Sequence, residues 1–421
     1  MLKRRLLAVT ALAAAATVAL VPALSQNNTQ TVARYTMDAG TMSGMAAMAQ
    51  GGRGGGLGGI MNMMRGGNQV AHELVLRLGS TRSATGGSPA ADHFMPQVAG
   101  LGASVPLVSP TPTPRGTPTP GAPGQQEMPR GRLLLFWGCG EHAPAGQPVI
   151  IDFSRLARGE VPAGLYASGL NLPDDWEVLV SNSTTYGDWP NARDTKTVPA
   201  NGSLLGAHRI AGNYSPEINF TLAEDFMPAL NPSGAAMPSG AVRLAWANLT
   251  KATGYYAWAI GAGANGNDRD MVWWTSSRTQ AFGGPMASWI SPSAAAQYVR
   301  AGTLLAPGTT ECVIPAEVKQ AGGEALMTSL YAYGPQADFS YPARPRNAPA
   351  SWRPEWIARV RFRSMAMIIP GMDMGMGGGQ EQGSRTGGEG EGASPPPQTP
   401  AKPRCRGGLR GMAERAAGLC E

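Results

Sequence analysis

The chain has 421 residues, of which 57 are glycine, 36 are proline and only 15% are charged. This combination favours a β-rich exported protein with long loops and unstructured insertions. The formal charge is +6, and it falls to +3 if Lys3, Arg4 and Arg5 leave with an export signal. A charge this small argues against nucleic acid as a partner, and we expect none.

The first 25 residues have the three-part pattern of a secretory signal peptide. Basic residues at 3–5 precede an apolar run over 6–21, and small residues stand at 23 and 25, before Gln26. The run is shorter than the roughly 20 residues that a spanning helix needs, which favours cleavage over a retained anchor. No later segment is long and apolar enough to span a bilayer. We therefore expect an exported protein in the periplasm, at the cell surface or outside the cell.

Candidate strands follow in order, separated by segments rich in Gly and Pro. Residues 26–65 are polar and then rich in Met and Gly, with one strand expected over 35–44. The Pro/Thr/Gly stretch 109–124 predicts an extended loop. From 367 onward the composition cannot bury a core, which predicts a disordered tail with one short helix over 409–419. Alternating or apolar runs predict further strands at 70–78, 132–137, 149–153, 176–180, 218–222, 242–246, 252–260, 271–275 and 305–315.

The segment 242–260 reads VRLAWANLTKATGYYAWAI, and 307–315 reads PGTTECVIP. These strings resemble the second and third strands and a later turn-and-strand element of a fibronectin type III-like sandwich. The resemblance covers about 240–315 and implies a β-sandwich with no particular activity, since such domains are scaffolds for many functions. Separately, residues 33–38 resemble the start of exported bacterial proteins.

The predicted fold class is all-β, with two β-sandwich-like domains. The expected organisation is a signal peptide at 1–25 and a Met/Gly-rich segment at 26–65. A β domain over 66–228 carries the Pro-rich loop 109–124. A fibronectin type III-like sandwich over 240–366 and a disordered tail over 367–421 complete the chain.

Four cysteines allow three pairings, and an oxidising compartment favours disulfides. We favour Cys139 with Cys312, since both lie beside strand-like segments, and Cys405 with Cys420 in the tail. No CxxC occurs, so neither a redox pair of the thioredoxin type nor a cysteine zinc site is supported.

Closely spaced methionines near both ends of the chain resemble the Met-rich arms of periplasmic copper-handling proteins. Thioether sulfur is a soft ligand that selects Cu(I). The alternative is that these adaptable side chains fill irregular apolar contacts. The candidate ligands are Met37, Met42, Met45, Met48, Met61, Met63, Met64, Met365, Met367, Met372, Met374 and Met376.

Two further patterns predict a binding surface. Trp273 and Trp274 are adjacent on a predicted strand, so one faces outward if the other faces inward. Arg359, Arg361 and Arg363 alternate with apolar residues and share one face of a strand. That basic row suits an anionic envelope polymer or lipid head groups; the alternative is a charged edge strand that discourages aggregation.

Evidence for catalysis is thin in the sequence. Neither HExxH nor a GxSxG elbow occurs, and a Cys139–His142 nucleophile pair competes with disulfide formation. We therefore predict a noncatalytic envelope or surface protein that binds an envelope protein or anionic polymer, or acts as a structural scaffold, with no cofactor. The alternatives are periplasmic copper binding through the methionines and an enzyme that uses His142 and its neighbours.

Overall fold

The computed structural model describes residues 31–51, 70–110, 131–158, 176–263, 270–282, 286 and 288–372. The described chain is all-β, as predicted. Its largest element is a nine-stranded sheet in which Ala33–Gly44 pairs in parallel with Trp356–Ile368, and Arg132–Trp137 pairs in parallel with Met271–Thr275. In spatial order the strands are β6 (Val149–Asp152), β5 (Arg132–Trp137), β13 (Met271–Thr275), β12 (Gly254–Ala262), β15 (Met327–Tyr341), β16 (Trp356–Ile368), β1 (Ala33–Gly44), β2 (Val70–Ser80) and β7 (Thr185–Trp189).

Two smaller sheets pack on one face of this sheet, because a single buried apolar cluster contains side chains of all three sheets. One has the order β4 (Val105–Leu107), β3 (Ala91–Phe94), β8 (Gly206–Gly212) and β9 (Ile218–Leu222). The other has the order β10 (Ser233–Ala236), β11 (Val242–Ala245) and β14 (Glu311–Ile314).

The opposite face of the nine-stranded sheet, called the far face below, carries a second apolar cluster. The helices are α1 (Met45–Gly51), α2 (Phe153–Ala157), α3 (Pro292–Ala301) and α4 (Ala316–Gly322). Side chains of α1 and α3 belong to the far-face cluster. Ser291 caps α3 by accepting a hydrogen bond from the backbone N–H of Ala294.

Alternation along β1 separates the two faces, as the period of a strand requires. Tyr35, Met37 and Ala39 enter the core shared with the small sheets. Asp38 and Met42 lie on the far face. The same alternation on β16 puts Val360 and Phe362 in the core and the three arginines on the far face.

Most predicted strands are present, but two features differ from the expected organisation. Residues 176–179 are not a strand; they run across the far face into a 3-10 turn, Val180–Asn182. The ranges 66–228 and 240–366 both contribute strands to the nine-stranded sheet, and β1, from 26–65, lies in its interior. The signal peptide predicted at 1–25 and the predicted features at 52–69, 111–130 and 373–421 lie outside the described residues.

Within the described residues, no helix is long and apolar enough to cross a membrane.

Candidate functional site

Arg359, Arg361 and Arg363 share one face of β16, as alternation predicts, but each is no more than 7% exposed. β16 lies between β15 and β1, so the edge-strand interpretation is wrong. Segments around 176–177 and 288–289 cover the row. The three arginines therefore lie inside the molecule and do not present the basic surface that the sequence suggested.

Arg361 forms the centre of the buried charges. Its Nε and Nη2 donate to the two carboxylate oxygens of Asp38 at 2.7 and 3.1 Å, and its Nη1 donates to Glu177 at 2.7 Å. Asp38, fully buried, also accepts from Arg77 at 2.8 Å. Burial lowers the pKa of Arg361, but the attraction of Asp38 and Glu177 and the hydrogen bonds that Arg361 donates to them outweigh it and raise that pKa above its ordinary value. The guanidinium therefore stays charged and fully occupied.

The flanking arginines are held by one acid and one tryptophan each. Arg363 donates to Glu73 at 2.8 Å, and its guanidinium lies 4.0 Å from the ring centroid of Trp289. Arg359 contacts Asp338 at 3.4 Å and lies 4.2 Å from the ring centroid of Trp176. Such cation–π contacts strengthen when they are desolvated. The row thus fastens the covering segments to the sheet.

A second set of arginines lies at the end of the nine-stranded sheet where β1 begins, β2 ends and β15 turns into β16. Backbone hydrogen bonds join these segments: Val32 N–H donates to Glu355 at 2.8 Å, and Thr81 N–H donates to Val32 at 2.9 Å. Glu355 N–H donates to Tyr341 at 2.6 Å. We call this region the arginine end; its basic residues are Arg34, Arg82, Arg344, Arg346 and Arg353.

A hydrogen-bonded chain of buried rings crosses from the large sheet to the four-stranded sheet. Tyr35 Oη lies 2.7 Å from His93 Nδ1, His93 Nε2 lies 3.0 Å from His208 Nδ1, and His208 Nε2 lies 2.7 Å from the carbonyl oxygen of Leu204. A carbonyl only accepts, so His208 Nε2 carries a proton, His93 Nε2 donates to His208, and Tyr35 donates to His93. Burial lowers the pKa of both histidines, and His208 lowers that of His93 further.

His208 also borders a shallow depression of about 420 Å³. Both of its ring nitrogens are already used in the chain of rings. The imidazole therefore offers no free nitrogen for acid–base chemistry there.

The structure brings together methionines from the two ends of the chain. Met42 of β1 is the register partner of Met365 of β16, and both belong to the far-face cluster with Met286. Met367 packs against the same cluster, whereas Met37 points into the opposite core. Met45 and Met48 are half-buried on α1, Met372 is exposed, and Met61, Met63, Met64, Met374 and Met376 lie outside the described residues.

The two adjacent tryptophans of β13 face opposite ways. Trp274 is fully buried, and its Nε1 donates to the carbonyl oxygen of Gly138 at 2.8 Å. Trp273 lies on the far face, half-buried, with its ring 5.3 Å from that of Phe282 in an edge-to-face contact. It is therefore partly packed rather than presented as an open aromatic platform.

Cys139 and Cys312 form a disulfide, which confirms the favoured pairing; Cys405 and Cys420 lie outside the described residues. Cys139 therefore offers no thiol to His142. His142 instead contacts Glu317 at 3.0 Å on the surface. A hydrogen bond from the backbone N–H of Ala143 is the main cause that lowers the pKa of Glu317. In the described part of the chain, no group of three or more His, Cys, Asp or Glu could hold a metal ion.

Sequence reasoning missed the partners of the arginines and the ring chain. Asp38 and Glu73 are isolated acids that belong to no recognisable motif, and Trp289 is far from β16 in the sequence. A signal did exist for the histidines: His93 and His208 occupy strand positions that face the core, where an apolar residue is expected.

No protein-family model, curated protein or solved structure matches this chain. Its function must therefore be inferred from its own geometry.

Proposed function

We propose that the protein is a noncatalytic, exported component of the cell envelope, a rigid β scaffold that binds other envelope components. The observation that supports this proposal is that its buried polar side chains bind other parts of the same chain. The arginines of β16, the buried histidines and Cys139 are each engaged by another part of the chain. Such contacts fix one arrangement of the three sheets and leave these groups unavailable for chemistry.

We propose further that the C-terminal half of the described chain is a fibronectin type III-like sandwich. In its support, β10, β11 and β14 form one sheet, while β12, β13, β15 and β16 are neighbours in the other. Immunoglobulin-like sandwiches divide their strands in a similar way, with first, second and fifth strands opposite third, sixth and seventh. Domains of this kind serve as binding scaffolds without a fixed activity.

Export is tested by expressing the full chain with a C-terminal tag and separating cytoplasm, periplasm and membranes. We expect a mature N-terminus at Gln26, a protein outside the cytoplasm, and a Cys139–Cys312 bridge seen by mass mapping without reduction. A cytoplasmic protein with both thiols reduced would overturn the proposed function.

A second candidate is Cu(I) binding, which one observation favours: methionines from positions 42 and 365 meet on neighbouring strands of the far face. Thioethers gathered in one place are suitable Cu(I) ligands. Against this, the same side chains pack among tyrosines in an apolar cluster.

Competition with a chromophoric Cu(I) chelator tests the copper candidate. If the site exists, M42L/M365L weakens copper retention at least tenfold, while M37L, whose side chain faces the other core, does not. Equal and weak competition by wild type and both variants would eliminate copper binding. We use substitutions because a deletion of the Met-rich segment 36–65 would also remove most of β1 from the interior of the sheet.

A further inference from the structure

We propose that the arginine end is a docking surface for an anionic lipid leaflet. This inference rests on the proposed export, and it names the component of the envelope that the scaffold contacts. Three stretches, 31–34, 79–84 and 341–356, meet there through the backbone hydrogen bonds given above. Together they contain five arginines and a single acid, Glu355.

The charges of this surface are largely unneutralised. Glu355 contacts Arg82 at 3.8 Å. Within the described ranges, Arg34, Arg344, Arg346 and Arg353 form no ion pair. The contrast with Arg359, Arg361 and Arg363, a few residues along the same hairpin and each paired with an acid, is clear. Arginines left charged and exposed attract a negatively charged surface over roughly a Debye length, about 8–10 Å in ordinary salt.

Aromatic side chains accompany the charges, which favours lipid over a soluble polyanion. Tyr341 is 59% exposed and stacks on Trp356 with ring centroids 6.4 Å apart. Trp352, half-buried, lies beneath Arg344 at 5.4 Å. Tyr and Trp combine an apolar ring with a polar atom, and they concentrate where head groups meet acyl chains. A polymer of phosphates alone would gain little from an exposed tyrosine.

A small cavity at the same end suits a phosphate group. Its volume is about 120 Å³, and its lining includes Arg34, Ser80, Thr81 and Ser183. The hydroxyls of Thr81 and Ser183 already donate to the carbonyl oxygens of Val32 and Leu179, so Arg34 is the group of this lining that would attract phosphate oxygens. The cavity opens within the arginine end, next to the first residues of β1.

The short link between the predicted signal peptide and β1 also brings this end close to the membrane during export. The apolar run over 6–21 stops ten residues before Thr31, where the described chain begins. Ten residues reach at most about 35 Å when fully extended. Until cleavage before Gln26, the beginning of β1 and Arg34 would therefore stay within roughly that distance of the lipid head groups.

Vesicle co-sedimentation of the purified, oxidised chain from Gln26 to Glu421 tests the proposal. We expect binding to vesicles of phosphatidylglycerol and phosphatidylcholine, weak binding to phosphatidylcholine alone, and loss of binding in high salt. Each arginine near an anionic surface contributes about fivefold in affinity, so R344A/R346A/R353A is expected to bind at least tenfold more weakly. Y341A is expected to reduce the binding that persists in moderate salt.

The matched control is R193A/R278A/R300A, which removes three exposed arginines elsewhere and changes the net charge equally. It is expected to bind almost as wild type, and unchanged urea midpoints show that both triple variants are folded. Equal losses in the two triple variants would overturn a localised surface. Binding to soluble polyphosphate but not to vesicles would overturn the lipid assignment. A cytoplasmic location would remove the proposed function without altering the vesicle result, so the two failures are distinguishable.

Discussion

At the scale of single residues, Arg361 joins two acids on the far face, the buried Asp38 and Glu177 of the covering segment. Breaking a buried ion pair by removing one partner leaves a desolvated charge and costs about 3–5 kcal/mol. Asp38 would keep Arg77, so we expect R361A to lower the free energy of unfolding by about 3 kcal/mol in urea titration. The control is R243A, whose exposed pair with Glu311 should contribute less than about 1 kcal/mol. Equal effects of the two variants would show that the far-face charges do not lock the sheet.

The ring chain predicts a dependence of stability on pH. Burial lowers the pKa of His93 and His208 in the folded state, while an unfolded histidine titrates near about 6.5. As pH falls below that value, the unfolded state takes up protons that the folded state refuses, and stability falls. Each histidine contributes up to about 1.4 kcal/mol per pH unit.

Urea titrations between pH 7.5 and 5 measure this slope. H93Q/H208Q is expected to reduce it without abolishing it, because burial also lowers the pKa of His72. H142N serves as the control, since the side chain of His142 is 70% exposed, and it should retain the wild-type slope. A slope that survives H93Q/H208Q undiminished would assign the acid sensitivity to other groups.

At the scale of elements, β1 fits its neighbours closely at Gly40. A Cβ added there would lie 3.1 Å from Trp289 Cη2 and 3.1 Å from Glu73 Oε2. Trp289 cannot easily retreat, because Arg363 stacks on it. G40A should therefore lower the free energy of unfolding by about 1–3 kcal/mol. G308A is the control, since a Cβ at Gly308 meets nothing within 4 Å; a similar loss there would mean that crowding at Trp289 is not the cause.

At the scale of elements, the sequence predicted which residues share a strand face but not which residues cover that face. Alternation gave the common face of Arg359, Arg361 and Arg363, because strand periodicity is a local property. It could not indicate whether that face is covered, because the covering residues Trp176 and Trp289 are distant in the chain. The run at 176–180 looked like a strand because apolar composition does not distinguish a strand from a segment that packs across a sheet.

Local sequence patterns also could not predict which strands pair when they are far apart in the chain. β1 and β16 are parallel neighbours although more than 320 residues separate Ala33 from Trp356, and no local turn signal marks such a connection. The same limit applies to the candidate sites. The arginine end lies at the turn of the hairpin formed by β15 and β16, whose buried arginines had been predicted to form the basic surface. The sequence alone does not show which of these arginines are buried and which are exposed.

For the whole molecule, the Cys139–Cys312 disulfide ties the edge region of the large sheet to the three-stranded sheet. Its residues are 173 apart in sequence, and closure of a loop that long removes much entropy from the unfolded chain. Measured effects of native disulfides are usually about 2–4 kcal/mol, so C139S/C312S should lower the free energy of unfolding by about that amount.

The control for the disulfide is C405S/C420S. Cys405 and Cys420 lie outside the described residues, in a tail whose composition predicts no buried core, so this double variant should leave the urea midpoint of the sheet unchanged. A chain held in a reducing compartment should behave like C139S/C312S, whereas an exported chain should have the full stability of the bridged protein. If C139S/C312S were as stable as wild type, packing between the sheets would stabilise the fold without the disulfide. The stability of the protein would then not depend on an oxidising compartment.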